Sequence, residues 1–357
     1  MIEKIKFQPQ PESFESDRER LRFLERSIIK RIREIRKNGY QIYAQTLDTF
    51  RIERGIEIGG YIPHEHREEV MKLRDESEKT IDQAVIEGLD NFRMELGNNS
   101  ALKNFIPEMN ALIEAARTMF LAKQTIKYKE RQFMSGAPEL SKEELKKQEA
   151  LREDMTEGRT LIQWHVLQNE NNPEYLKAFD ITLKQLLGDT GFKEEWHGME
   201  RGLRQELGIS KILKKYFKKV TPGKPKEDAH YAIDFWAETE DGKTIIFQSK
   251  SSSLFGGQGV FDEQDMQKLE RELAEGSNSD VKYQTGWGGY EPPVPDLVKI
   301  RKFQQDAEKA KSYAASLGIE NPKFYLIVSS ANNFEEITGE PILGKNNQLE
   351  KQLESFK

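Results

Sequence analysis

The chain has 357 residues, 36% hydrophobic and 32% charged, with 55 basic against 61 acidic side chains and a formal net charge of −6. That length predicts two domains, and no stretch approaches the length of a membrane span. The absence of cysteine excludes disulfides, thiol nucleophiles and thiolate metal centres. The acidic balance argues against a histone-like coating role, so any contact with nucleic acid must be local. The start, Met1-Ile-Glu-Lys-Ile-Lys6, lacks the apolar core of a signal peptide, and a cytoplasmic protein is expected.

The first half reads as helical. Leu21, Leu24, Ile28, Ile32 and Ile35 form one apolar seam, with Ser16-Asp17 as cap candidates. A glycine-rich break follows over 55–63. A second helix is expected over 67–96, a third over 102–134 with Pro107 near its start, and a fourth over 141–168. Ser141-Lys-Glu-Glu144 has the capping-box pattern. His64-Glu65-His66 reads as a surface loop. Residues 1–180 are therefore expected to form a helical domain that clamps substrate, dimerises or docks onto a partner, and a homodimer through its seams is reasonable.

Residues 195–207 read as a further helix, with Trp196, Met199, Leu203 and Leu207 at helical spacing and Gly208 as its stop. Two acids, Glu200 and Glu206, flank that stripe. A dense basic run follows, comprising Lys211, Lys214, Lys215, Lys218, Lys219, Lys224 and Lys226. Such a run ordinarily marks a solvated face. Its place beside the motif below favours a phosphate backbone. A short strand is expected over 217–222, and then Glu227-Asp228 in a loop, with Asp228 and His230 as possible accessory groups.

The chemistry is concentrated in 231–250. Two strands are expected, the first with Asp234 in its middle and the second ending on Gln248-Ser249-Lys250. Period-2 geometry puts Gln248 and Lys250 on one face, and Ile245 and Phe247 on the other. A two-residue turn would set Asp234 opposite Ser249, on the wrong face. A three-residue loop, Glu240-Asp241-Gly242, sets Asp234 opposite Gln248 and places the glycine where a left-handed residue is needed. The second register is predicted. A carboxylate, a side-chain carbonyl and an ammonium on one face suit a hard divalent ion, Mg2+ or Mn2+, with a cationic partner.

Downstream, 261–275 reads as an acidic helix. A loop over 283–290 carries Trp287 and Tyr290, which either stack on exposed bases or wrap the core. A long helix over 297–317 and an apolar strand over 324–328 follow. That strand is expected to be buried on both faces in a parallel pairing reached by a helical crossover.

Over 193–330 this pattern resembles the PD-(D/E)XK nuclease superfamily. Ile233-Asp234 is similar to its Ile-Asp step, and Gln248-Ser249-Lys250 to its acid-x-Lys step in a Gln variant. The resemblance implies an α+β chain in which a helical N-terminal half precedes a restriction-endonuclease-like α/β core (αβββαβ, mixed central sheet) over 181–335, with 336–357 as a C-terminal tail. It implies a Mg2+-dependent nuclease, a hydrolase of phosphodiester bonds and a DNA endonuclease. Asp234, Gln248 and the Ser249 carbonyl would hold the metal, Lys250 would act on the hydroxide or transition state, and Glu200 or Glu206 would join from the helix. Gln248 in place of an acid leaves one or two metals open. It also keeps alive a non-catalytic nucleic-acid-binding module on the same fold, or a helical scaffold protein.

Overall fold

The structure, a computed structural model, describes residues 14, 16–96, 103–133, 141–190, 193–251, 258–274 and 297–356. It is an α+β chain of ten α-helices and one five-stranded mixed sheet among those residues. Two compact units divide it: Met1–Gly158 with Ala178–Lys193, and Arg159–Lys177 with Glu194–Lys357. Among the described residues no helix is long and apolar enough to cross a membrane.

In the first unit, helix α1 (Asp17–Glu53) starts at Ser16, whose hydroxyl accepts from the Glu19 N–H at 3.3 Å. A cap of this kind is worth about 1 kcal/mol. The chain turns back through 54–66, and α2 (Arg67–Leu96) runs antiparallel to α1, with Arg31 meeting Glu95 at one end and Arg54 meeting Glu69 at the other. Most of the expected seam holds: Leu21, Leu24, Ile28 and Ile32 are buried, Ile35 is half-buried beside Gly88, and Ile81, Val85 and Leu89 of α2 are buried as well. Helix α3 (Ile106–Phe133) adds Met109, Leu112, Ile113 and Phe120 to this core. The capping box predicted for α4 (Lys142–Gln168) is present: the Glu144 N–H donates to the Ser141 hydroxyl, and the Ser141 N–H to the Glu144 carboxylate at 2.9 Å. A fifth helix, α5 (Pro173–Thr190), was not anticipated.

The second unit is built around α6 (Lys193–Tyr216), which runs straight through Gly208, where a stop was expected. The glycine is there for space. A Cβ at that position would lie 2.0 Å from the Phe334 ring, so the helix and the 331–334 turn approach more closely than alanine permits. The strands are β1 (Lys219–Pro222), β2 (Phe235–Glu238), β3 (Thr244–Ser251), β4 (Gly259–Phe261) and β5 (Lys323–Ser329), in the sheet order β1-β2-β3-β5-β4. Only β3 and β5 are parallel. Two helices, α8 (Glu263–Ala274) and α9 (Leu297–Ser316), lie between those two strands in the chain, as a parallel connection requires. Strand β4 was not foreseen.

The 225–231 segment, expected as a loop, is helix α7 (Pro225–Tyr231). Pro225 presets the first turn, the Glu227 carboxylate accepts from the Lys224 N–H at 2.9 Å, and Ala232 ends the helix in a left-handed conformation. The final residues carry α10 (Asn347–Leu353), whose Leu349 and Leu353 are fully buried.

Candidate active site

The hairpin adopts the three-residue loop. Phe235 pairs with Phe247 and Glu238 with Thr244. The Thr239 N–H donates to the Lys243 carbonyl at 3.0 Å, and Gly242 closes the turn at φ +81°. One step beyond Phe235, Asp234 stands opposite Gln248. It precedes β2 and does not lie in the middle of the strand; its N–H still donates to the Phe247 carbonyl at 3.1 Å.

The two faces of β3 divide as the alternation predicts, but neither is wet. Ile246 belongs to a core formed with Phe303, Ala307 and Ala310 of α9 and with Phe324, Leu326 and Val328 of β5. Phe247 packs on the other side against Phe217 and Phe356. Gln248 therefore leaves water: it is 3% exposed, and its Nε2 donates to the Asp306 carboxylate of α9 at 3.2 Å. Asp306, itself buried, was missed from the sequence. The available signal was an acid three residues after Phe303 and one before Ala307, inside the apolar seam. A carboxylate only accepts, so the amide nitrogen must face it and Oε1 is turned elsewhere.

Asp234 is also buried, and its Oδ2 accepts from the Ser249 N–H at 2.7 Å. Three carboxyl groups and one ammonium meet here. Burial pushes the Asp234 carboxyl above its usual range; Lys250 is the largest opposing influence, and hydrogen bonds from Ser249 and Asp228 also oppose the rise. Burial, and then the charge of Asp234, hold Asp228 well above the usual range, and Asp228 hydrogen-bonds to Asp234. A hydrogen bond between two carboxyls requires a shared proton, as expected where like charges crowd. Burial, then Asp234 and Asp228, push Glu206 up in the same way. Lys250 attracts all three. Glu206 and Asp228 each keep part of their surface open, while Asp234 is enclosed.

Neighbouring amides hold these groups. Gln163 Nε2 of α4 donates to Glu206 at 2.6 Å, and Gln205 Nε2 donates to the Lys250 carbonyl at 2.9 Å. Of the two candidate helix glutamates, Glu206 joins the cluster. Glu200 lies six residues earlier, about 9 Å up the helix axis. Adjacent Glu227 is separate: it accepts from Lys224, from the Trp236 indole at 3.0 Å and from the Tyr313 hydroxyl at 3.3 Å, which makes it a structural brace for α7. His230 ends α7 on the exposed side.

The lysine run does not form a free cationic track. Lys211 pairs with Glu340, Lys214 with Glu170, Lys215 with Glu350 at 2.9 Å and Lys218 with Glu238 at 3.2 Å. The first three sit on α6 and close its own contacts. Lys219, Lys224 and Lys226 remain exposed without an ion pair among the described residues. Trp287 and Tyr290 lie outside the described residues. Among the described residues no three His, Asp or Glu side chains are grouped to hold a metal by themselves. No family model, curated protein or solved structure matches this chain.

Proposed function

We propose that this chain is a metal-dependent nuclease on a PD-(D/E)XK-like core, hydrolysing phosphodiester bonds of DNA. The observation that carries this reading is the crowding of Glu206, Asp228 and Asp234 around the single cation Lys250. Such a negative excess must be relieved by protons or by a cation, and all the donors are hard oxygens suited to Mg2+ or Mn2+. The donors present, carboxyl oxygens and one amide oxygen, suit such an ion, which would take the place of a proton on the crowded carboxyls. Asp234, the Gln248 oxygen and either Glu206 or Asp228 are the residues that would hold it.

When bound, the ion supplies Lewis-acid activation of water and neutralises charge developing on phosphorus. The chain's own residues do the rest. Strand β3 fixes Lys250, whose ammonium steadies a phosphate oxygen or the attacking hydroxide. Asp306 fixes the Gln248 amide so that its oxygen is the end left for the site. Residues of the α9 seam seal the floor from water.

Cleavage of supercoiled plasmid and of single-stranded DNA with Mg2+ or Mn2+, compared with Lys250→Ala, tests this proposal. Metal-dependent cleavage that the variant loses is expected. Equal cleavage by both proteins would overturn it. A second reading, a binding module without chemistry, is favoured by the neutral Gln248 and by the fact that, among the described residues, no three acids are grouped closely enough to hold a metal by themselves. It is the outcome if DNA is bound in chelator and stays intact with metal.

A further inference from the structure

The seam of α1 that packs the helical core leaves its opposite side to solvent, and that side is not neutral. Arg22, Arg26, Lys30, Arg33 and Lys37 project from it, all exposed. At 100° per residue these five positions fall within a sector of about 80°, and they extend about 22 Å along the helix. They face Lys184, Gln185 and Gly188 of α5 across a groove of about 850 Å³, built wholly within the first unit. Arg22, Arg26, Lys30 and Lys37 have no ion pair among the described residues, whereas Arg20, Arg31 and Arg51 of the same helix are all paired with acids. Lys184 is held 2.9 Å from Asp180. Two acids also line the groove: Glu25, which is buried, and Glu34, which is half-buried.

We infer that this groove is a binding site for the phosphate backbone of a nucleic acid, separate from the Asp234 site. Four unpaired cations aligned on a chain of net charge −6 form an isolated positive strip, held together against mutual repulsion of the kind that costs a few tenths of a kcal/mol per i,i+4 pair. Neighbouring cations at about 6 Å intervals along one line suit a linear polyanion better than a compact one. The strip spans about six base pairs at 3.4 Å each. Two of the four, Arg22 and Arg26, are arginines, which can clasp phosphate oxygens bidentately. A lipid surface fits less well: the apolar side of α1 is buried in the core, so no hydrophobic face remains to enter a bilayer. The inference shares its ligand class with the proposed function but does not require cleavage.

Binding of the full chain to short labelled duplex and single-stranded DNA, in chelator and over a salt series, tests it. With four phosphate contacts, log affinity should fall with log salt at a slope near −4, and Arg26→Glu with Lys30→Glu should reduce that slope by about 2 and weaken binding at least tenfold. Lys72→Glu, an exposed charge reversal on α2, should leave both unchanged. The milder Arg22→Gln with Lys37→Gln should give the same slope change if the first pair perturbs folding. Unchanged slopes, or equal effects from Lys72→Glu, overturn the inference. Loss of binding to anionic vesicles with DNA binding intact overturns it in favour of lipid. Loss of cleavage in Asp234→Asn with binding retained would bear on the nuclease site alone.

Discussion

Both units bury acids, and they treat them differently. In the helical unit Glu114 is buried beside Arg93 and Arg117, and Arg117 also grips Asp154 with two bonds of 2.9 and 2.7 Å and lies 2.8 Å from Asp90. Asp82, also buried, meets Lys123 at 2.9 Å. Burial raises the Glu114 carboxyl, but both arginines pull it back, and these same acids raise the Arg117 guanidinium. In the sheet unit three inward carboxyls share one lysine. Charge matched within the fold serves the fold; charge left unmatched is poised for something from outside it.

Crossed substitutions break this contrast most sharply. Lys250→Ala is expected to reduce cleavage by about 10³-fold or more with modest loss of stability. Arg117→Ala should do the reverse, costing about 3–5 kcal/mol because it strands buried acids, with the activity of the folded fraction unchanged. Urea melts and cleavage rates on both proteins check the pair. If Lys250→Ala proved the more destabilising, its carboxyl cluster would be a structural ion pair after all.

A swap sharpens the role of Asp306. Gln248→Glu alone sets two carboxylates against each other in a buried position and should destabilise by about 2 kcal/mol. Adding Asp306→Asn restores one donor facing one acceptor, and most of the stability should return. A double variant no more stable than the single would show that the 3.2 Å contact does not fix Gln248.

Protonation provides two smaller tests. His165 is buried, its Nε2 lies 2.7 Å from the Tyr175 hydroxyl, and burial lowers it to about 4. Its folded value is depressed below the unfolded one, so the unfolded chain gains its proton first as pH falls. Stability should drop by about 2 kcal/mol between pH 7 and 5, and His165→Gln should remove that slope. The Asp234 cluster has the opposite sign. Its carboxyls are raised, so its contribution is greatest in acid and is lost as pH rises through the folded values. Asp234→Asn should therefore flatten the fall in stability of the metal-free protein toward neutral pH. Added Mg2+ should stabilise the native protein above pH 7 but not this variant.

Much of the fold was legible locally. The α1 seam, the Ser16 and Ser141 caps and the Asp-Gly loop are short-range signals, and each depends on neighbours within a turn. Helix α7 was hidden because Glu227-Asp228 looks like punctuation until Pro225 is read as a first-turn residue. Gly208 misled because a helix stop and a close approach both call for glycine, and only the ring of Phe334, far along the chain, separates them.

By itself, then, the sequence determined which side chains share the face of β3 and which register brings Asp234 opposite Gln248, because strand alternation and turn length are local geometry. Tertiary structure decided what those side chains meet. Packing of α9 on the sheet buries Gln248 against Asp306, and the fold of α6 and α7 onto the strand ends gathers Glu206 and Asp228 around Lys250. It also assigned most of the lysine run to intramolecular acids, and it placed the unpaired cations of α1 opposite α5. These are contacts between residues tens to over a hundred positions apart, and electrostatic energy depends on distance and burial in space, which no periodicity along the chain records.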